Sequence, residues 1–235
     1  MKFLSILLGL SVLIFCASPV EAKRRVFIPG RRGVVIDERL SALRAQPDLK
    51  ASLEQRLRRG RRVGILGAVR KKDGTTFLRV AISRNTRGWI LADAIARPGS
   101  AADVNRLIKL MEETSDDFIR VRLVRLFLEE FREPGFAPRA LLLLGQTAEQ
   151  VAERLSRDTR RRIGNDTENG KLRRKYYFLN FAGLDRYNRI NIKFDYDEES
   201  DSLVYDGTAY RELIRKYPRS AQAIMLKERI QYERK

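Results

Sequence analysis

RRVGILGAVRKKDGTTFLRVAISRNTRGWIL, the stretch from residue 61 to residue 91, decides the fold of the first part of this chain. Two alternating apolar runs, residues 63–65 and 77–82, flank the turn sequence Lys72-Asp73-Gly74. Glycine accepts the positive φ that a tight turn demands, so the pattern predicts a β-hairpin. Residues 88–91 (GWIL) predict a further strand.

Short apolar runs also precede this stretch. Residues 26–28 (VFI) are closed by Pro29-Gly30, and residues 34–36 (VVI) follow directly. Several short strands at regular spacing are typical of a small barrel or sandwich. The sequence therefore predicts a small all-β barrel over residues 23–98, the first part of an α+β chain with more than one domain.

Motifs within this region carry a family resemblance. They are Leu43-Arg44 with Pro47, residues 57–60 (LRRG), residues 77–80 (FLRV) and residues 88–90 (GWI). In this order they resemble the bacterial Src-homology-3-like (SH3-like) domain, over about residues 24–97. The chain departs from the family at residues 41–57, where leucines 49, 53 and 57 have helical spacing and the family usually has a loop.

The resemblance implies binding of cell-wall peptide or glycan, or packing against a neighbouring domain, and it implies no chemistry. A lone Trp in a small barrel is usually buried, so Trp89 is expected in the core, with a role as ligand platform as the alternative. Basic side chains are the better candidates for ligand contact. These candidates are Arg44, Arg58, Arg59, Arg61, Arg62, Arg70, Lys71, Lys72, Arg84 and Arg87.

From Ser100 onward the apolar period changes from two to about 3.6, which predicts helices. Residues 99–163 form the predicted helical domain, with caps at Ser100 and at residues 114–117. Pro138 is expected to start a short helix through Leu144, and Thr147 to cap a separate one. Residues 164–172 are expected to form a surface loop, because 164–170 (GNDTENG) contain no apolar residue.

The last part, residues 173–235, is predicted to hold helices and one β-hairpin. An aromatic-rich helix is expected at 176–184, and a hairpin is expected from alternating residues 190–194 and 203–205 around a turn at 198–201. Two helices broken at Tyr217-Pro218 should follow. Residues 209–223 (AYRELIRKYPRSAQA) resemble the helical repeats of tetratricopeptide-like envelope proteins, which implies a concave surface for a protein partner.

The N-terminus has the layout of a secretory signal peptide over residues 1–22. Lys2 precedes a run of 13 apolar residues, 3–15, and a small-residue end offers Ala22 for cleavage. The run is shorter than the roughly 20 apolar residues that a spanning helix needs. Cys16 could be lipidated only if a lipoprotein signal were present, but the bulky Phe15 stands before it. We therefore expect a periplasmic or secreted protein without a transmembrane segment after cleavage.

The charge distribution is uneven. The chain carries a formal net charge of +18. Residues 23–98 hold 20 Lys+Arg against 6 Asp+Glu, a net of +14, whereas residues 99–235 hold 27 against 23, a net of +4. Outside the inner membrane the abundant polyanions are envelope polymers and anionic lipid headgroups, so nucleic acid is not the expected partner. Arginine outnumbers lysine, which favours two-pronged contacts to carboxylate or phosphate.

Missing residue types exclude several chemistries. The sequence has no His, and its one Cys lies in the predicted signal, so His triads, thiol nucleophiles, disulfides and zinc–cysteine sites are excluded from the mature chain. Asp195, Asp197, Glu199 and Asp201 alternate as in calcium loops. Ser200, however, stands where such a loop needs Gly, so a solvated turn is favoured and neither a metal nor a cofactor is predicted.

These observations predict an exported, non-catalytic binding or scaffold protein of the cell envelope. Its SH3-like barrel would engage an anionic wall polymer, and its helical part would engage a protein partner. One alternative is a wall- or polyanion-cleaving hydrolase with paired carboxylates, although nothing in the sequence nominates a pair. A third reading makes the barrel a brace for the helical part.

Cleavage after Ala22 can be tested by intact-mass measurement of the exported protein. We expect a chain that begins at Lys23, because the peptidase accepts small residues at this position. The control variant Ala22→Trp should accumulate uncleaved. A mass that begins at a lipidated Cys16, or one that retains Met1, would contradict this prediction.

Overall fold

The first part of the chain forms short strands because its apolar runs are interrupted by glycine and polar turns. The computed structural model describes residues 32–131, 133–163 and 171–233. The predicted signal peptide, the predicted strand at 26–28 and the loop residues 164–170 lie outside the described residues. The strands are Arg32–Val35 (β1), Ala42–Arg44 (β2), Leu53–Arg56 (β3), Arg62–Arg70 (β4), Thr76–Ala81 (β5), Arg87–Leu91 (β6) and Ile95–Ala96 (β7), with a 3₁₀ turn at Ala92–Ala94.

All seven strands belong to one antiparallel sheet with the order β3-β2-β6-β5-β4-β1-β7. The predicted hairpin is confirmed: β4 pairs with β5 from Gly64↔Ala81 to Arg70↔Thr76, and Gly74 in the turn has φ of 86°. Within the described residues no ladder joins β3 to β7, so the hydrogen-bonded sheet is open there.

The inner face of the sheet buries a small apolar core. Its buried members are Val35, Leu43, Leu57, Val63, Val80, Ile90, Ala94 and Ile95. On β1 and β7 the alternate residues point the other way, and Val34, Ile36 and Ala96 belong to the core of the helical part. These two strands therefore join the two cores.

The helical part begins at the predicted caps. The side chain of Ser100 accepts a hydrogen bond from the backbone N–H of Asp103, and Asp116 accepts one from Ile119, so both caps are confirmed. A two-stranded hairpin interrupts the helices. The elements are Ala101–Glu113 (α1), Asp117–Glu130 (α2), Ala137–Ile163 (α3), Lys171–Leu179 (α4), Ala182–Asn188 (α5), Phe194–Asp197 (β8), Ser202–Tyr205 (β9), Thr208–Lys216 (α6) and Ala221–Glu233 (α7).

The leucine spacing at residues 41–57 does not form a helix. The segment is instead a β2–β3 hairpin, and Leu49 and Leu53 are about half exposed while Leu57 is buried. Pro47 lacks the N–H that a helix interior needs. The Asp48 carboxylate accepts a hydrogen bond from the N–H of Lys50, which stabilises a turn at this point.

Two short helices were expected where the structure has α3. The 27-residue helix runs straight through Gly145 and Thr147, so the predicted cap at Thr147 is wrong, and its side chain is buried. Gly145 has a packing role. A Cβ built there would meet the Tyr210 ring of α6 at 2.1 Å, so glycine lets this ring lie against the helix. Tertiary packing thus explains a residue that the sequence suggests is a break.

Three further boundaries differ from expectation. The single helix expected at 176–184 is two helices, α4 and α5, and α4 already begins at Lys171, inside the predicted loop 164–172. The first strand of the hairpin begins at Phe194, where the run expected at 190–194 ends. The hairpin itself, its turn at 198–201 and the break between α6 and α7 at Tyr217-Pro218 are confirmed.

Replacing Gly145 by Ala should destabilise the protein although Ala is the better helix former. Overpacking against Tyr210 should lower the free energy of unfolding by about 2 kcal/mol, measured by urea denaturation. The control is Gly135→Ala, where a Cβ would meet nothing within 4 Å. A G145A protein as stable as wild type would show that the Tyr210 ring does not rest on this glycine.

Candidate polyanion-binding face of the sheet

Trp89 lies in the middle of a row of side chains that crosses the sheet. On β6 it is directly opposite Arg79 of β5 and Arg44 of β2. Opposed residues of antiparallel strands project from the same face, so the side chain of Trp89 leaves the sheet between those of Arg44 and Arg79. The row continues to β3 on one side and to β4 on the other. It is called here the Trp89 stripe and consists of Leu53, Arg44, Trp89, Arg79 and Gly67.

The sequence predicts Trp89 in the core, but the alternation of β6 places it on the opposite face of the sheet. Ile90 is fully buried, and a Cβ at Gly88 would meet the Leu43 side chain at 2.7 Å, so these neighbours fill the inner face. Trp89 therefore points to the opposite face and is half-buried. A lone Trp is usually a core residue, but the period of two in a strand overrides that tendency here.

The arginines around Trp89 differ in whether other groups of the chain bind their guanidinium groups. A guanidinium nitrogen of Arg44 donates a hydrogen bond of 2.7 Å to the carbonyl of Ala51, which holds the side chain along the β2–β3 turn. Arg79 and Arg87 are exposed, and neither forms an ion pair with a carboxylate of the described residues. Arg87 lies two residues from Trp89 on the same strand face. The stripe thus combines the Trp89 ring with the unpaired guanidinium group of Arg79, and Arg87 lies beside it.

The sequence analysis missed Arg79 as a candidate contact. The signal was present, because the alternation that puts Val80 in the core puts Arg79 on the other face. Its position beside Trp89 follows from the β5–β6 register, Arg79↔Trp89. That register depends on strand pairing and not on any local motif.

Arginines of β1, of the start of β4 and of the turn before it are engaged within the chain instead. Glu130 of α2, whose side chain is only 7% exposed, accepts a hydrogen bond of 2.6 Å from Arg32 and two from Arg62. The Nε of Arg59 donates to the carbonyl of Ile36 at 2.9 Å, and its backbone N–H donates to Glu38. Arg59 and Arg62, both predicted ligand contacts, are therefore engaged within the chain.

The other predicted contacts are dispersed. Arg58 and Arg61 are exposed in the β3–β4 turn, and a guanidinium nitrogen of Arg61 lies 3.5 Å from the carbonyl of Ile82. Arg70 and Lys71 lie at the end of the β4–β5 hairpin, and Arg84 lies in the β5–β6 turn. The predicted basic residues thus occupy separate places on the module, and only Arg44 and Arg87 lie next to Trp89.

The acidic loop at 195–201 is engaged in hydrogen bonds of its own. Asp197 accepts hydrogen bonds from Ser200 and from the backbone N–H of Glu199, and these bonds lower the pKa of the Asp197 carboxyl. Asp201 accepts from Arg174 and from the Tyr196 hydroxyl, and burial together with the Asp201 charge raises the pKa of Tyr196 to about 12. In the described part of the chain no group of three or more acidic residues is placed to hold a metal ion.

No protein-family model, no curated protein and no solved structure matches this chain. Among the helices of the described residues, none combines the length and the apolar character needed to cross a membrane.

Glu130 and its neighbour Glu129 form a matched pair for testing this junction. Glu130→Gln should lower the free energy of unfolding by about 2 kcal/mol, because it leaves two arginines beside a neutral, buried amide. The control Glu129→Gln removes a carboxylate that is 59% exposed and pairs with Arg125 on the same helix, and should cost less than about 0.5 kcal/mol. Equal losses in urea denaturation would contradict the proposed importance of the Glu130 contacts.

Proposed function

We propose that this protein is an exported, non-catalytic binding protein of the cell envelope that holds an anionic wall polymer on the Trp89 stripe. The observation that carries the proposal is the placement of Trp89 between Arg44 and Arg79, on the face opposite the barrel core. Aromatic rings offer a flat apolar surface to a sugar ring. Guanidinium groups offer paired N–H donors to the carboxylates or phosphates that decorate such a polymer.

The location of the stripe supports binding to an extended ligand. Neighbouring strands lie about 4.8 Å apart, so the backbones of Arg44 and Arg79, two strands apart, are separated by about 10 Å, a span that suits an extended ligand rather than a single small ion. Gly67 at one end of the row leaves open space, since a Cβ there would meet nothing within 4 Å. Strands β2, β6 and β5, which carry the centre of the stripe, are separated from β1 and β7 by β4 in the sheet order.

An SH3-like barrel is part of this proposal. Its support is the ordered set of motifs from Leu43 to Ile90, together with a sheet of short antiparallel strands around one small core. The alternative that the barrel braces the helical part is supported by contacts on a different side of the sheet. Arg32 and Arg62 hold Glu130 there, while Arg79 and Arg87 have no ion pair with a carboxylate of the described residues.

The helical part is proposed to engage a protein partner through its C-terminal end. Helix α7 exposes Ile224, Met225 and Tyr232, with Tyr232 83% exposed. Exposed apolar side chains close together on one element are a common feature of protein-binding surfaces. Export after cleavage at Ala22 remains a proposal that rests on the sequence of residues 1–22.

Co-sedimentation of the purified protein with purified wall sacculi tests the proposal. Arg79→Gln with Arg87→Gln should weaken binding about tenfold, since each lost guanidinium removes charge-assisted hydrogen bonds. The matched control is Arg215→Gln with Arg219→Gln, which removes the same charge from exposed positions in α6 and in the turn after it. Affinity should also fall steeply as salt rises.

Trp89, the only Trp of the chain, provides a second readout. Its fluorescence should change as the polymer binds and saturate in parallel with co-sedimentation. If the two double variants lost polymer binding to the same extent, binding would depend on net charge and not on the stripe. Binding without any change at Trp89 would place the ligand elsewhere.

A further inference from the structure

A basic pocket of about 260 Å³ lies where the sheet meets the helices, away from the Trp89 stripe. The β3–β4 turn contributes Arg59, α2 contributes Arg122 and Arg125, and Arg189 comes from the C-terminal end of α5. We call this set of four arginines the arginine pocket. Glu129 and the apolar side chain of Leu126 complete its wall together with these residues.

The positive charges of the pocket exceed the negative charges that face them. Arg125 pairs with Glu129 at 3.2 Å, and Arg122 lies 3.8 Å from Glu38. Arg59 and Arg189 form no ion pair with any carboxylate of the described residues. The charge of Asp37 also reaches Arg59, but this carboxylate already pairs with Arg39 at 2.8 Å. Apart from that pair, four guanidinium groups against two carboxylates leave an excess of two positive charges.

Arg59 shows most directly that this charge is poorly compensated. Its side chain is half-buried, and its Nε already donates to the carbonyl of Ile36. Burial lowers the pKa of Arg59, and the nearby charge of Arg122 lowers it further, although Glu38 acts in the opposite direction. A partly desolvated cation beside other cations is unfavourable unless an anion is bound.

We propose that the arginine pocket binds a phosphate dianion, either free or as the end group of a phosphomonoester. Two negative charges match the excess of two positive charges. Planar guanidinium groups donate pairs of hydrogen bonds to phosphate oxygens, so arginine suits phosphate binding better than lysine does. The apolar side chain of Leu126 at the pocket wall would contact the carbon part of a monoester.

The position of the pocket means that a bound ligand contacts several parts of the fold at once. Arg59 belongs to the sheet, Arg122 and Arg125 belong to α2, and Arg189 belongs to the segment after α5. A bound phosphate therefore bridges the sheet to two separate parts of the helical region. Because it binds only the folded arrangement, it raises the stability of the protein by mass action.

Calorimetry and thermal unfolding of the full chain with inorganic phosphate test this proposal, with sodium chloride keeping the ionic strength constant. We expect saturable binding of one phosphate per chain and a melting temperature that rises with phosphate concentration. Arg122→Gln with Arg189→Gln should weaken binding at least about tenfold. The matched control, Arg79→Gln with Arg87→Gln, should bind phosphate as wild type does, whatever it does to polymer binding.

Titrations with other small anions show which anion the pocket binds. Glycerol 1-phosphate, a monoester dianion, distinguishes the two sources: equal or tighter binding than phosphate indicates a monoester, and weaker binding indicates the free ion. Dimethyl phosphate and acetate carry a single charge, and binding as tight as that of phosphate would overturn the assignment to a dianion. Arg189→Gln alone, at an exposed position, serves if the double variant does not fold. The proposal would be overturned if this substitution left phosphate binding unchanged. It would also be overturned if phosphate gave no saturable binding beyond that seen with sodium chloride alone.

Discussion

The structure depends on a strand that is buried on both faces. In β1, Val35 points into the core of the sheet, whereas Val34 and Ile36, the residue directly after the strand, belong to the core of the helices. Side chains of a strand alternate between its faces, so a strand that is apolar on both must be covered on both sides. The helical part supplies the second cover, and Glu130 binds Arg32 and Arg62 at the edge of this contact. The two parts of the chain therefore share apolar contacts as well as ion pairs.

This arrangement divides the basic residues of the first module into two sets. Those near β1 and the start of β4 meet carboxylates and carbonyls of the chain itself, as Arg62 and Arg59 do. Those on the strands farther from β1, such as Arg79 and Arg87, have no carboxylate of the described residues beside them. The high net charge of the module thus has two consequences. One set of basic residues binds the helical part, and the other stays exposed on strands farther from β1, where we propose that an anionic ligand binds.

The helical part is organised around α3. Gly145 receives the Tyr210 ring of α6, and the Ser156 hydroxyl accepts a hydrogen bond of 2.8 Å from the backbone N–H of Leu203 in the hairpin. At the C-terminal end, Arg229 of α7 binds Glu149 of α3 with two hydrogen bonds. Helix α3 therefore contacts the hairpin, α6 and α7 in turn, which explains why it runs unbroken through residues that are ordinarily found at helix ends.

The sequence by itself determined the elements whose signals are local: the hairpin around Gly74, the caps at Ser100 and Asp116, and the corner at Tyr217-Pro218. In each case the deciding physics acts within a few residues, through a positive φ, a side-chain cap or a missing N–H. Tertiary structure alone decided the rest. Gly145 lies inside a helix because a ring from another helix needs its space, and Trp89 lies between Arg44 and Arg79 because of strand register. The arginine pocket likewise assembles residues far apart in the chain, from Arg59 to Arg189, and no local pattern could bring these charges together.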